Sequence, residues 1–431
     1  MNRVIDWSAL DAQGRKAALA RPERREDGAM QEAVRDIIAK VRGGGWDALC
    51  EIAERIDGAA PERLAVAPYA EQARAQLPAQ AVAAIEMAAE NIRRFHEATL
   101  PAPVSVETVP GLTVEKRWAP LGSAGLYVPG GKAPLFSTLL MLAIPARVAG
   151  VERLTVVTPP RAGGGLDPAV ALAAKYCGIE AIWTIGGAQA VAALAFGAGE
   201  IEAVDRICGP GNAWVAAAKA QVASLPGGPG IDLPAGPSEL LVIADKDSDP
   251  ARVAADLLSQ AEHGADAQVL VVSPDEGILE RVLDEVDAQA AAMGGNFAPT
   301  RAIRCADLGE AVAIANAYAP EHLSIALEDG QAARLAESVT NAGAIFVGEG
   351  AAESFGDYLA GSSHVLPTDG AARYTGGVTA LTYLKAISVQ RLTTEASRRL
   401  AGPAAILARL EGLEAHARAA EIRAGEKEGV R

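Results

Sequence analysis

Five histidines occur in the 431 residues, and four of them stand among acids or amides: QAEH at Gln260–His263, PEHL at Pro320–Leu323, GDYLAGSSH at Gly356–His364 and EGLEAH at Glu411–His416. Imidazoles beside carboxylates can hold a transition metal or move protons. Gln260 and His263 are three apart on a segment with helical periodicity, so both project from one face and could grip one ion as oxygen and nitrogen donors. Zinc favours carboxylate over amide, and chemistry alone would choose Glu262 rather than Gln260 as the oxygen ligand. The plain alternative is a helix C-terminus finished by His263 and Gly264, with the imidazole at the negative end of the dipole.

Asp357 and His364 bracket a glycine-containing loop that could bring carboxylate and imidazole to one point; a loop cap and a surface histidine would read the same way. His416 follows Glu411 across Gly412, at the start of what reads as the final helix, and by itself is an ordinary surface residue. No HExxH or paired CxxC occurs, so a metal site would have to be assembled from distant segments. Glu321-His322 is a different kind of pair. After Pro320 the two could start a helix from a loop, and a carboxylate next to an imidazole suits successive proton transfers. Pro-Glu at a helix N-terminus is also a common structural arrangement. The fifth histidine, His96 in RRFHEA, sits on a charged helix and is expected on a solvated face.

Three glycine-rich turns invite comparison with nucleotide-binding motifs. Gly122–Ala133 reads GSAGLYVPGGKA; a P-loop ending at Lys132 would need glycine at 126 and Ser or Thr at 133, where Leu126 and Ala133 stand. Gly209–Asn212 reads GPGN ahead of a helix, but the third glycine of GxGxxG falls on Trp214. Gly186-Gly187-Ala188-Gln189 joins a strand to a helix and could offer amides to a pyrophosphate. Each is also ordinary turn chemistry. Spacing alone stops at a metal-dependent α/β enzyme.

The elements that would position these residues are legible as a repeating pattern. Short apolar runs at Leu154–Thr158, Ala181–Ile185, Glu239–Ala244, Gln268–Ser273 and Ala344–Val347 carry strand chemistry. Each is followed by a Gly/Pro/Asp loop and then a helical stretch, for example Ala188–Ala198, Asn212–Leu225, Pro250–Glu262 and Glu276–Ala292. That alternation predicts an α/β protein of two lobes, with parallel-type sheets flanked by helices and small helical terminal domains. Residues 30–99 read as helical apart from a Gly43–Gly45 break and a Gly58–Pro68 loop. The tail from Thr393 to Glu426 is expected to be helical, with no sheet of its own. The expected organisation is a helical arm over 1–23, a first α/β lobe from 24–122 and 238–377, a second, incomplete Rossmann-like lobe over 123–237, and a C-terminal helical dimerisation tail over 378–431.

Half of the chain is hydrophobic and 22% is charged, a globular balance. The formal net charge of -15 argues against nucleic acid or anionic membrane as partners, since both are polyanions. The start, MNRVIDWSAL, lacks an apolar signal region. Leu135–Ile144 is far short of the roughly 20 residues a membrane span needs. The four cysteines lie far apart, so neither a disulfide framework nor a thiolate zinc site is expected. A cytoplasmic protein is the plain expectation.

Taken in order, the segments GLYVPGGKAPLFSTLLMLAIPARVAGV, TIGGAQAVAALAFG, ICGPGNAWVAAAK, IDLPAGPSELLVIAD, DLLSQAEHGADAQ, YAPEHLSIAL, NAGAIFVG, GDYLAGSSHVLPT and LEGLEAHARAAEIR resemble the histidinol dehydrogenase family from about Val34 to Arg423. The resemblance implies an NAD-dependent alcohol and aldehyde dehydrogenase. It would oxidise L-histidinol through L-histidinaldehyde to L-histidine with two NAD, the last step of histidine biosynthesis. It implies one zinc per subunit with Gln260, His263, Asp357 and His416 as ligands, which favours Gln260 over Glu262. It implies Glu321 and His322 as the acid–base pair. Ser238, His364 and Glu411 then join Gln260, His263, His322, Asp357 and His416 in binding substrate, and Tyr127, Gln189 and Asn212 contact NAD. It also implies a homodimer in which each C-terminal tail completes its partner's site. Ser363 and Trp214 depart from the family pattern, where Asn and a Tyr or Phe are usual; neither is a ligand position. A dehydrogenase of another small polar alcohol, a zinc hydrolase and a zinc-stabilised binding protein are the rival readings.

Overall fold

Apolar runs such as Glu239–Ala244 and Gln268–Ser273 become strands buried on both faces, as the interior of a parallel sheet requires. The structure, a computed structural model, describes residues 4–22, 28–130, 135–233 and 236–424; Lys132 and Ala133 of the P-loop comparison lie outside them. In chain order the strands are β1 (Val4–Asp6), β2 (Glu62–Ala65), β3 (Val104–Val109), β4 (Leu112–Pro120) and β5 (Ser123–Tyr127). There follow β6 (Arg153–Thr158), β7 (Ala181–Thr184), β8 (Arg206–Cys208), β9 (Gly230–Ile231) and β10 (Glu239–Ala244). The remainder are β11 (Gln268–Ser273), β12 (Thr300–Arg304), β13 (His322–Ala326), β14 (Ala344–Val347) and β15 (Leu384–Leu392).

The chain divides into two compact units, Met1–Thr99 with Leu121–Tyr383, and Leu100–Pro120 with Leu384–Arg431. The first holds two six-stranded sheets. One has the order β1-β12-β11-β10-β13-β14 and is parallel throughout. Alternate residues of β10 enter two cores: Leu240, Val242 and Ala244 pack with the helix Pro250–Ala261, and Leu241 and Ile243 with Leu308–Tyr318. The other sheet has the order β2-β7-β6-β5-β8-β9, parallel except for the edge strand β2. One face of it is covered by the helices Gly28–Ile56, Gly187–Phe196 and Ala213–Ser224. The α/β class with helix-flanked parallel sheets is as expected, and the five apolar runs are β6, β7, β10, β11 and β14.

The second unit is a three-stranded antiparallel sheet, β15-β4-β3, with the helices Thr394–Leu410 and Glu414–Glu421. The tail is helical from Thr394 as expected, but β15 corrects the expectation that it lacks sheet. β15 alternates in burial rather than forming an apolar run, and its partner β4 is distant in sequence. A second correction concerns Glu321-His322. His322 opens β13, not a helix, because the fully buried run that follows pairs between β10 and β14. A third concerns His96, which is wholly buried. It continues the stripe Ile85, Ala88, Ala89 and Ile92 along the helix Ala79–Ala98, and its charged neighbours point elsewhere. No helix among the described residues is long and apolar enough to cross a membrane.

Candidate active site

In a parallel sheet all strand starts share one edge, and a helix connecting two strands returns its C-terminus to that edge. β10 and β13 are adjacent, with Leu240 opposite His322, so Glu239 and Glu321 stand at their amino ends. The helix Pro250–Ala261 leads from β10 to β11 and carries Gln260 in its last turn. The sheet therefore brings Gln260, Glu321 and His322 together from segments about 60 residues apart.

His322 is the centre of this group and only 4% exposed. Its Nδ1 lies 3.2 Å from the Glu239 carbonyl oxygen and 3.2 Å from Gln260 Nε2. Glu353 Oε1 is 3.5 Å from the same nitrogen and Glu321 Oε2 3.7 Å. The Glu239 carbonyl and two carboxylates face Nδ1 against the one amide donor of Gln260, an environment that favours a proton on this nitrogen. Nε2 is buried without a hydrogen-bond partner, with Asp357 Oδ1 3.7 Å away. Burial disfavours the imidazolium, but Glu321, Glu353 and Asp357 outweigh it and push the ring's proton affinity up.

Glu321 accepts a hydrogen bond from the Glu239 backbone N–H at 2.9 Å. Burial pushes its carboxyl up to about 7, against the pull of His322. Asp357, on the short helix Glu353–Tyr358, is held below its usual range: its burial acts against this, but His322, His364 and His263 favour the carboxylate. His364 bridges the loop, with Nδ1 3.0 Å from the Asp357 carbonyl and Nε2 3.1 Å from Thr138 Oγ1. His263 is exposed at the end of its helix, and Ser238 is half-buried immediately before β10. Glu262 is exposed, whereas Gln260 is 1% exposed. Glu411 and His416 belong to the second unit, where both are exposed, at the end of one helix and the start of the next.

The three residues implied for a dinucleotide lie at the opposite type of edge, on the second sheet. Its strand order changes direction between β5 and β8, and crevices at such points outside the carboxyl ends bind nucleotides in doubly wound folds. Tyr127 ends β5, and its hydroxyl accepts from Gly187 N–H at 3.1 Å. Gln189, in the first turn of the following helix, donates to Asp57 at 3.0 Å and leaves a buried Oε1 without a partner. Asn212 follows β8 and caps the helix Ala213–Ser224 by accepting from Trp214 and Val215. Asp232 and Lys219 form a buried ion pair that holds this turn: Asp232 accepts from Gly209 N–H at 2.7 Å and Lys219 donates to its carbonyl at 2.8 Å.

The family model for histidinol dehydrogenase matches residues 19–424. The chain belongs to the histidinol dehydrogenase family. It is 44% identical over 431 residues to the histidinol dehydrogenase of Xanthomonas euvesicatoria pv. vesicatoria (strain 85-10), covering 98% of this chain and 99% of that one. It is 45% identical over 430 residues to that of Xanthomonas campestris pv. campestris (strain ATCC 33913 / DSM 3586 / NCPPB 528 / LMG 568 / P 25), with the same coverage. Among solved structures it is similar to histidinol dehydrogenase from Elizabethkingia anophelis, with a TM-score of 0.91 at 36% identity, covering 98% of each chain. Membership in the histidinol dehydrogenase family makes the chain an oxidoreductase of histidine biosynthesis.

Three residues of the site escape sequence patterns. Glu353 is 1% exposed and joins His322 and Asp357 in a group whose potential ligand atoms lie within 4.8 Å of one another. Its only signal is the i, i+4 spacing from Asp357. Glu239 and Arg21 carry none, since their roles come from pairing across more than 200 residues.

Proposed function

We propose that this protein is a cytoplasmic, zinc-dependent, NAD-linked L-histidinol dehydrogenase that carries the alcohol through the aldehyde to L-histidine. The observation that carries the mechanism is the buried imidazole of His322, unpartnered at Nε2 and directly beside the Glu321 carboxyl. Gln260, His263 and Asp357, with His416 from a tail, are a donor set that suits zinc, and Asp357 favours its ionised form. The Gly186–Gly187 turn and the unpartnered Gln189 Oε1 suit a dinucleotide, with Tyr127 and Asn212 flanking it. When bound, zinc would orient the substrate's amino and imidazole nitrogens and NAD would accept hydride.

In this reading His322 Nε2 takes the hydroxyl proton of histidinol as hydride leaves. Glu321, its proton affinity raised by burial, then takes a proton from the water that adds to the aldehyde. His322 returns its proton to the aldehyde oxygen as the hydrate forms, and takes the hydroxyl proton of that hydrate during the second hydride loss. Two hydrides and one water convert alcohol to acid, so two NAD are reduced. Ser238, His364 and Glu411 help hold the substrate.

The functional molecule is proposed to be a homodimer whose tails complete the partner's site. The tail helices expose Ile406, Leu407, Leu410, Leu413 and Ile422, an apolar stripe that calls for a partner surface. NADH formation by purified protein with L-histidinol and NAD, before and after chelation, tests the whole reading. Two NADH per histidinol, lost with chelator and restored by zinc, is the expected result. No NADH from folded, zinc-loaded protein would remove histidinol as the substrate.

A further inference from the structure

The Glu321–His322 pair is approached by an unusual piece of backbone. The helix Leu308–Tyr318 ends at Ala319, which is wholly buried and adopts a left-handed conformation with φ 55°. Such a conformation is strained for an alanine and persists only where surrounding contacts over-determine it. Pro320, Glu321 and His322 follow immediately.

One side chain supplies much of that determination. Arg21, from the N-terminal segment, donates its Nε to Glu239 Oε1 at 2.5 Å and its Nη2 to Glu239 Oε2 at 2.8 Å. The same Nη2 lies 2.9 Å from the Tyr318 carbonyl oxygen and 3.4 Å from that of Ala319. The guanidinium also stacks 4.0 Å above the centre of the Tyr318 ring. Glu239 is in turn the residue whose backbone N–H binds the Glu321 carboxylate and whose carbonyl faces His322 Nδ1. Its side chain accepts from Asp369 N–H at 2.9 Å as well. Arg21 thus ties the turn that delivers the pair to the residue that orients both members of it.

We propose that Arg21 is a positioning residue for Glu321 and His322, acting through the Glu239 carboxylate and the Tyr318 and Ala319 carbonyls. The proposal rests on the acid–base reading of that pair given above. Arginine suits the role because its planar fork reaches carboxylate and carbonyl oxygens at once, which an ammonium cannot do. A purely structural bridge would affect stability and leave turnover per folded molecule intact.

Arg21→Met alone strands a buried carboxylate and risks unfolding. The informative variant is therefore Arg21→Met/Glu239→Gln, which removes both charges. It is expected to keep KM for histidinol nearly unchanged while kcat falls on the order of 10²-fold, the usual consequence of misplacing catalytic groups by about 1 Å. Arg21→Lys should recover part of the loss. Placed in a Glu321→Gln background, the double change should cost much less than in wild type, because one residue it positions is already disabled. A kcat within about twofold of wild type, or an equal fold loss in both backgrounds, overturns the proposal. Full turnover by Glu321→Gln alone would instead remove the reading on which it stands, an outcome told apart because it involves no change at Arg21.

Discussion

Glu353 Oε1 lies 3.5 Å from His322 Nδ1, a carboxylate sealed from solvent beside the imidazole that must gain and lose a proton. Burial pushes its own carboxyl up to about 8, and when ionised it raises the proton affinity of His322. Glu353→Gln keeps the shape and removes the charge. The expected result is a kcat lower by on the order of tenfold, the equivalent of about one pKa unit at the base, with KM for histidinol little changed. Steady-state kinetics on protein with a wild-type melting temperature checks this; unchanged kcat would make Glu353 a spectator.

Gln260 and Glu262 compete as the oxygen ligand on chemical grounds, and their placement separates them. Gln260 is buried against His322, whereas Glu262 is exposed past the end of the helix. Gln260→Ala should therefore lose bound zinc and activity together, while Glu262→Ala should retain both. Metal content by atomic emission, measured alongside turnover, decides the matter. Zinc loss in Glu262→Ala with retention in Gln260→Ala would reverse the assignment.

These cases show which parts of the molecule sequence can reveal. Strands such as β10 and β11 are buried on both faces and announce themselves as unbroken apolar runs. β13 has the same burial but starts at His322, so the polar PEH ahead of it disguises the strand as a helix start. β3 and β15 are largely exposed and β4 is mostly half-buried, none is an unbroken apolar run, and only long-range pairing makes them a sheet. At the site, His322 is conspicuous because the chain has only five imidazoles, whereas Gln260 is favoured over Glu262 only by the family resemblance. Arg21 and Glu239 are common surface residue types, and nothing local marks them as a buried pair. His96 errs the other way, since its arginine neighbours hide the apolar face it shares.

That face has a consequence for stability. His96 is wholly buried, neither ring nitrogen has a hydrogen-bond partner, and burial lowers its pKa from 6.5 to about 4. Between these values the unfolded chain binds a proton that the folded chain refuses. The stability associated with neutral His96 is thus complete above the unfolded value and is lost as pH falls toward 4. The loss amounts to about 3 kcal/mol across the window. Urea unfolding of wild type and His96→Leu from pH 7 to pH 4 should show a flatter dependence in the variant; parallel curves would mean that the ring takes up its proton as easily folded as unfolded.

The turn carrying Asn212 is built on a close approach that only glycine permits. Gly209 has φ 124°, and a Cβ there would come within 2.1 Å of the Tyr127 carbonyl oxygen. No rotation of a side chain can relieve that contact, because both atoms belong to backbone or are fixed to it. Gly209→Ala must push the turn away from the end of β5, which separates Tyr127 from Asn212 and pulls Gly209 N–H from Asp232. The expected outcome is weaker NAD binding with binding of histidinol to the zinc-loaded protein retained, since Gln260, Glu321 and His322 belong to the other sheet. The loss of melting temperature should be only partly recovered by saturating NAD. Calorimetric titration of each ligand separately checks this. An equal loss of affinity for both would place the role of the turn in overall stability rather than in the cofactor site.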